Sequence, residues 1–236
     1  MAFLHAYGYE YVTIGSMDVL NLANTTDVLH LLRQRLYPAS MASSLVDATE
    51  GEQVGARKSA VLLALFVQDG VLHLPLIRRA STLRAHGGEI ALPGGQVEPS
   101  DTSLLMTAVR ETYEEIGLDP ARIELLGVLT PVFTVVSNYL ITPVVAFLPQ
   151  GPGTLTLQES EVAELLTVAL PKLADPAIAY TEEWTRNGRT RTIHFYNYDT
   201  YRIWGATGRI LSTLLALLRQ EDSVSDSAST SHSCES

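Results

Sequence analysis

Residues 94–118 read GGQVEPSDTSLLMTAVRETYEEIGL, a double-glycine turn followed by a stretch with helical periodicity that ends at Gly117. At about 100° per residue, Leu105, Val109, Thr112 and Ile116 fall on one narrow stripe. Glu111, Glu114 and Glu115 are expected to project away from that stripe, with Arg110 beside them. Glutamates at i, i+3 and i+4 stand one turn apart, where like charges cost a helix about 0.2–0.5 kcal/mol per pair. Pro99-Ser100-Asp101 is expected to cap the helix, and Gly117 with Asp119-Pro120 to stop it. The glutamates therefore fall in the last two turns, where the helix dipole already disfavours negative charge. A solvated acidic face is the ordinary outcome for an isolated E-x-x-E-E. The surroundings favour the alternative, an external cation. Hard divalent ions take oxygen ligands and keep several waters, and at Pro93-Gly94-Gly95 a backbone carbonyl can approach such an ion with no side chain in the way.

The segment leading into this turn is basic on a chain otherwise short of positive charge: residues 76–95 are LIRRASTLRAHGGEIALPGG. Arg78, Arg79 and Arg84, with His86, fall in it. Guanidinium groups bind phosphate in a two-point fashion, so a metal-binding acidic helix next to this loop points to a phosphate ester or anhydride. The competing reading is that these arginines form structural ion pairs with Glu89 or Glu98.

Taken together, the two stretches resemble the Nudix hydrolases, whose box reads G-x5-E-x7-R-E-U-x-E-E-x-G-U, with U aliphatic. The second half fits at Arg110-Glu111-Thr112-Tyr113-Glu114-Glu115-Ile116-Gly117-Leu118, with Thr112 in place of the aliphatic residue. The first half departs: after five intervening residues from Gly95 stands Asp101 rather than Glu, and eight residues rather than seven then separate it from Arg110. This one-residue insertion resembles the coenzyme A diphosphatase branch. That branch carries, just before the box, approximately L-T-x-R-[SA]-x3-R-x3-G-x3-F-P-G-G. The chain matches at Leu76, Arg79, Ala80, Arg84, Gly88, Pro93, Gly94 and Gly95, with Ile77 and Leu92 replacing the Thr and Phe. Residues 201–207, YRIWGAT, also resemble the end of that branch.

The resemblance implies an α/β Nudix fold, an α/β/α sandwich with a mixed β-sheet flanked by helices. It implies Mg²⁺ or Mn²⁺ held by Glu111, Glu114, Glu115 and the Gly95 carbonyl, and catalysis by Glu114, Glu115 and Arg110. Arg110, i, i+4 from Glu114 and adjacent to Glu111, would orient a glutamate. The general base is Glu114 or Glu115, with Glu159 and Glu161 as further candidates. Arg79, Arg84, Gly88 and Glu89 would bind substrate. The implied reaction cleaves the diphosphate of coenzyme A, or a derivative, to 4′-phosphopantetheine (or its acyl form) and adenosine 3′,5′-bisphosphate. Two alternatives stay open: a Nudix hydrolase of another nucleoside diphosphate derivative, such as ADP-ribose or a nucleotide sugar, and a non-catalytic Nudix-fold binding module. Such modules typically lose box carboxylates, whereas all three are present. Tyr196, Tyr198 and Tyr201, at strand spacing, read as core or surface aromatics, with stacking on adenine as the less common use.

Composition bounds the remainder. With 236 residues and 46% hydrophobic content the chain can bury one good core. Twenty-six acidic residues against 16 basic ones argue against a general nucleic-acid surface. The single cysteine, Cys234, excludes an intrachain disulfide framework and fits a cytoplasmic location. No G-x-x-x-x-G-K-[ST] is present, and the six histidines are scattered without cysteine partners, so a P-loop and a structural zinc site are unsupported. The 34 uncharged residues between Glu124 and Glu159 are long enough to raise a membrane span. Prolines 131, 143, 149 and 152 divide them into buried strands near 123–129 and 139–148, so no membrane is expected.

Residues 1–26 are expected to be a poorly organised extension, with Met17 as an alternative start. Residues 27–220 form the expected catalytic domain, and the Ser-rich acidic tail 221–236 is expected to be disordered. Within the domain, a helix is expected near Thr26–Leu36, capped by Thr26 or Asp27, with Leu29, Leu32 and Leu36 on one side. Ala60–Val67 and 71–77 read as a hairpin turning at Asp69-Gly70 with a buried first strand, and 190–196 as a further strand. Arg209–Arg219 reads as a leucine-rich helix that docks on the sheet, with homodimerisation as the alternative use.

Overall fold

The computed structural model describes residues 11–13, 22, 24–50, 55–83, 85–186 and 188–219. Met17, Arg84 and the tail after residue 220 lie outside the described residues. In chain order the elements are β1 (Tyr11–Thr13), α1 (Thr25–Arg35), α2 (Ala42–Glu50), β2 (Arg57–Gln68), β3 (Val71–Arg79), β4 (Ile90–Ala91) and β5 (Gly94–Gln96). The next are α3 (Leu104–Ile116), β6 (Glu124–Val128), β7 (Val132–Thr134), β8 (Tyr139–Phe147), β9 (Val162–Ala169) and α4 (Leu170–Leu173). The last are β10 (Ala179–Arg186), β11 (Arg189–Tyr198), β12 (Tyr201–Ile203) and α5 (Gly205–Arg219).

The apolar run 60–67 is the centre of β2 and is buried on both faces, as a continuous hydrophobic strand requires. Ala60, Leu62, Ala64 and Phe66 face one core with α2 and α3, while Leu63 and Leu65 face the other with α1 and α5. This is the period-2 alternation of a strand serving two layers. β2 pairs in parallel with β8 and antiparallel with β3 and β5, so the sheet is mixed. Its strand order is β4-β3-β2-β8-β6, with β5 beside β2, β7 beside β8 and β9 beside β3. Helices on both faces make the expected α/β/α sandwich. A second sheet, β1-β10-β11-β12, packs through β11 against α5.

The hairpin turn is at Asp69-Gly70, both with positive φ (51° and 76°), the geometry of a two-residue type I′ loop. Its ladder is short, running only from Gln68↔Val71 to Phe66↔His73. Beyond it β3 pairs with β9, and at the far end of β2 residues 59–61 accept β5 instead. That splay seats the Gly94-Gly95 turn against β2, beneath α3.

Several local expectations are corrected. Asn24 caps α1 through a side-chain oxygen that accepts from the Asp27 N–H, in place of Thr26 or Asp27. Ser103 caps α3, accepting from the Met106 N–H, because Asp101 is engaged elsewhere. The buried face of α3 is Leu104, Thr107, Ala108, Thr112, Glu115 and Ile116, so Glu115 points into the packed side rather than away from it. Thr112 is tolerated in an apolar position because its hydroxyl donates to the Ala108 carbonyl at 2.7 Å. Tyr11–Thr13, within the stretch expected to lack organisation, pairs with β10. The uncharged stretch forms β6, β7 and β8, and no described helix is long and apolar enough to cross a membrane. In α5, Ile210, Leu211, Leu214, Leu215 and Leu218 are buried, which is the docking role expected of it.

Candidate active site

Two adjacent glycines bring the backbone of the β4–β5 turn against the carboxylates of α3. At Gly94 (φ 147°) a Cβ would lie 2.3 Å from the Ala60 carbonyl oxygen and 2.5 Å from Val61 Cα, so only glycine fits between turn and sheet. The Gly94 N–H donates to Glu115 Oε2 at 2.9 Å. At Gly95 a Cβ would lie 2.4 Å from the Glu111 carboxyl carbon. The carboxyl groups of Glu111 and Glu115 are therefore held over one bare turn.

Their environment is short of water. The Glu115 side chain is 2% exposed, and its nearest cation, Arg79 Nη1, stands 3.5 Å from Oε1. Burial pushes the Glu115 carboxyl up to about 7; the Gly94 N–H and Arg79 oppose the shift, and the charges of Glu111 and Glu161 add to it. Burial likewise raises Glu111 above the usual carboxylate range, against the pull of Arg110. Of the two later acids considered, Glu161 thus adds like charge to both box glutamates.

Arg110 holds the other side of the cluster. Its Nε donates to Asp101 Oδ1 and its Nη2 to Asp101 Oδ2, both at 2.9 Å. Nη1 donates to Glu114 Oε2 at 3.0 Å, while Nη2 also reaches Glu111 Oε1 at 3.1 Å and the Gln96 carbonyl at 3.2 Å. These hydrogen bonds hold the Asp101 carboxyl well below the usual range and raise Arg110 above its own. Asp101 also accepts from the Thr107 hydroxyl and the Glu98 N–H. The displaced acid is thus the anchor of Arg110, a use that its shifted spacing did not reveal. Glu114 is 54% exposed, at the outer rim.

The upstream residues separate. Arg79 reaches Glu115, as above. Arg78 pairs with Glu164 (Nε to Oε2, 2.8 Å), neither of the partners weighed from sequence. No sequence signal could have found this pair, whose members stand 86 residues apart. His86 Nδ1 lies 3.0 Å from Glu89 Oε2. Gly88 and Glu89 line an open cleft of about 610 Å³ together with Arg78, Glu164, Arg202 and Trp204. Tyr196 is core, at 1% exposure.

The donor set, carboxylate oxygens beside a glycine turn, is that of a hard divalent cation. A methyl group at Gly95 would fill the space in front of Glu111, and the carboxylates of Asp101, Glu111, Glu114, Glu115 and Glu161 outnumber the guanidiniums of Arg79 and Arg110. The residues therefore fit such an ion. The arrangement is open: among the described residues, no three His, Cys, Asp or Glu side chains form a ready-made metal cage. An ion that keeps several waters and takes oxygens from its substrate does not require one.

The family described as NUDIX domain matches residues 56–187. The uncharacterized Nudix hydrolase NudL of Photorhabdus laumondii is 35% identical over 158 residues, covering 67% of this chain and 83% of that protein. The peroxisomal coenzyme A diphosphatase NUDT7 of Mus musculus is 33% identical over 181 residues, 74% of this chain and 75% of that one. Nudix hydrolase 22, chloroplastic, of Arabidopsis thaliana is 37% identical over 163 residues, 66% of this chain but 53% of its own length. Among solved structures, a NUDIX hydrolase from Alicyclobacillus acidocaldarius aligns with a TM-score of 0.45 at 18% identity, covering 70% of this chain and 93% of that one.

Proposed function

This chain belongs to the Nudix hydrolase family, and on that premise we propose that it cleaves the diphosphate linkage of coenzyme A or its derivatives, using Mg²⁺ or Mn²⁺. The products are 4′-phosphopantetheine, or its acyl form, and adenosine 3′,5′-bisphosphate. The observation that carries the chemistry is the pair of desolvated carboxyl groups, Glu111 and Glu115, held over the bare Gly94-Gly95 turn. Two observations support the choice of substrate: the 76–95 segment, and the likeness to a relative whose name states coenzyme A diphosphatase activity.

Glu111, Glu114, Glu115 and the Gly95 carbonyl would hold the ion. When bound, it neutralises phosphoryl oxygens and lowers the pKa of a coordinated water. Arg110, fixed by Asp101, keeps Glu111 and Glu114 turned toward one another and positions both. Glu114 or Glu115 accepts the proton of the attacking water. Arg79, already beside Glu115, binds the diphosphate oxygens, and the adjoining 85–89 loop extends the grip on the substrate. A cytoplasmic location belongs to the same proposal and is supported by the single cysteine.

A panel of coenzyme A, acyl-coenzyme A, ADP-ribose, nucleotide sugars and nucleoside triphosphates, with Mg²⁺ and with Mn²⁺ and products separated by chromatography, tests the reading. Coenzyme A forms should outpace all others in kcat/KM; a higher value for ADP-ribose would discard the specificity while leaving the hydrolase chemistry in place.

A further inference from the structure

The cleft lined by Arg78, Gly87–Ile90, Glu164 and residues 200–202 and 204 borders the core opposite α3, to which its Ile90 belongs. Ile77 belongs to the core under α3, and Leu76 to the other core, so successive residues of β3 alternate between the two. Arg78 accordingly reaches the cleft while Arg79, one residue on and across a register shift, reaches Glu115. The cleft is of the size that small-molecule sites occupy, roughly 300–1,000 Å³. One wall, 200–204, comes from β12 and its flanks, beyond the residues matched by the family.

Its chemistry is mixed. Arg78 donates through Nε to Glu164, and its Nη groups make no hydrogen bond to a described residue. Tyr201 donates to the other Glu164 oxygen, so this carboxylate is tied on both sides. Arg202 reaches Glu182 at 3.1 Å and lies over the Phe195 ring, with a side chain 52% exposed. Trp204 stacks on Phe195 at 6.2 Å and lies 5.8 Å from Trp184. Two guanidiniums suit a phosphate, aromatic rings suit a base, and the Glu164 and Glu89 carboxylates suit an exocyclic amine.

We propose that this cleft receives the phosphorylated adenosine half of the substrate, with the base against Tyr201 and Trp204 and a phosphate held by Arg78 and Arg202. The proposal rests on the coenzyme A reading and assigns one half of that molecule a place. The β4 segment connects the two regions: Ile90 lines the cleft, and Gly94 binds Glu115. Four residues span at most about 14 Å, at roughly 3.5 Å each. A nucleotide whose diphosphate lies at the glutamates can reach that far around the sheet edge.

Trp204 lines this cleft and Trp184, the chain's other tryptophan, lies 5.8 Å from the Trp204 ring, so tryptophan fluorescence reports the cleft's occupancy. The test titrates the full chain separately with adenosine 3′,5′-bisphosphate and with 4′-phosphopantetheine, comparing wild type with Arg78→Gln and Arg202→Gln. The bisphosphate should change the fluorescence, and its Kd should rise about tenfold in each variant, the loss of one charge-assisted hydrogen bond. The Kd of phosphopantetheine, read by calorimetry because its place lies outside the cleft, should move less than about twofold on the same scale. Absence of a bisphosphate signal, unchanged bisphosphate affinity in both variants, or an equal or larger loss for phosphopantetheine overturns the proposal. Turnover of coenzyme A by wild type is scored alongside. If turnover is absent but the titrations behave as stated, the proposed reaction falls and the cleft assignment stands; turnover with failed titrations removes the cleft alone.

Discussion

Arg110 and Asp101 are joined by two hydrogen bonds of 2.9 Å each, Nε to Oδ1 and Nη2 to Oδ2, with the Asp101 side chain 1% exposed. The pair ties the loop ahead of α3 to the middle of the helix. It also leaves Arg110 with Nη1 for Glu114 and a shared Nη2 for Glu111. One buried ion pair therefore sets the attitude of two box glutamates.

Asp101→Asn should destabilise the protein at pH 7 by on the order of 3 kcal/mol, as expected when one partner of a buried pair is removed. The folded-state pKa of Asp101 is depressed, so its stabilisation is present above the unfolded value near 3.9 and is lost as pH falls through the folded one. The gap between wild type and variant in urea unfolding should thus narrow progressively below pH 4. A gap that is constant down to pH 2.5 would contradict this account.

Glu115 has the opposite sign. Its folded value of about 7 exceeds the unfolded one, so the folded state holds the proton more tightly, and stability falls as pH rises toward and through 7. In chelator, Glu115→Gln retains an acceptor for the Gly94 N–H and removes the buried charge. It should be more stable than wild type at pH 8, by up to about 3 kcal/mol, and so melt higher there, and the advantage should vanish near pH 4. Equal melting temperatures at pH 8 would show that the carboxylate is better solvated than its 2% exposure indicates.

Turnover separates the roles of the acids. Glu114→Gln should lower kcat by about 10³-fold or more with the fold intact, since metal-assisted chemistry loses a carboxylate. Glu161→Gln, which removes only a neighbouring charge, should cost less. The reverse order in single-turnover measurements would move the general base to Glu161.

The two glycines should fail differently. In Gly94→Ala the methyl group meets backbone at 2.3 Å, which must shift, so the variant should lose about 3 kcal/mol or more of stability. In Gly95→Ala the group met at 2.4 Å is the end of the Glu111 side chain, which can swing aside. That variant should fold nearly normally yet lose about 100-fold in turnover, the scale of a 1 Å misplacement. Thermal melts and kcat measured on both proteins check the contrast; normal activity in Gly95→Ala would mean that Glu111 does not need its place over the turn.

Much of the sandwich was legible in the order of residues. The apolar run of β2, the Asp69-Gly70 turn, the α3 stop at Gly117 and the leucines of α5 are local signals, because burial periodicity and turn geometry act within a few residues. The box glutamates and the glycine turn were legible for the same reason. Their division of labour was not. Glu115 is buried and Glu114 is at the rim because α3 is rotated onto β2 and β5, and a rotation of that kind depends on which surface the helix meets. Asp101 anchors Arg110 because the loop folds back by nine residues, and Arg78 turns to Glu164 across 86. By itself the sequence determined which carboxylates and guanidiniums are present and which helix carries them. Only the tertiary structure decided which are dry, which are paired and which face open space, because desolvation and ion pairing depend on distances through space that chain separation does not encode.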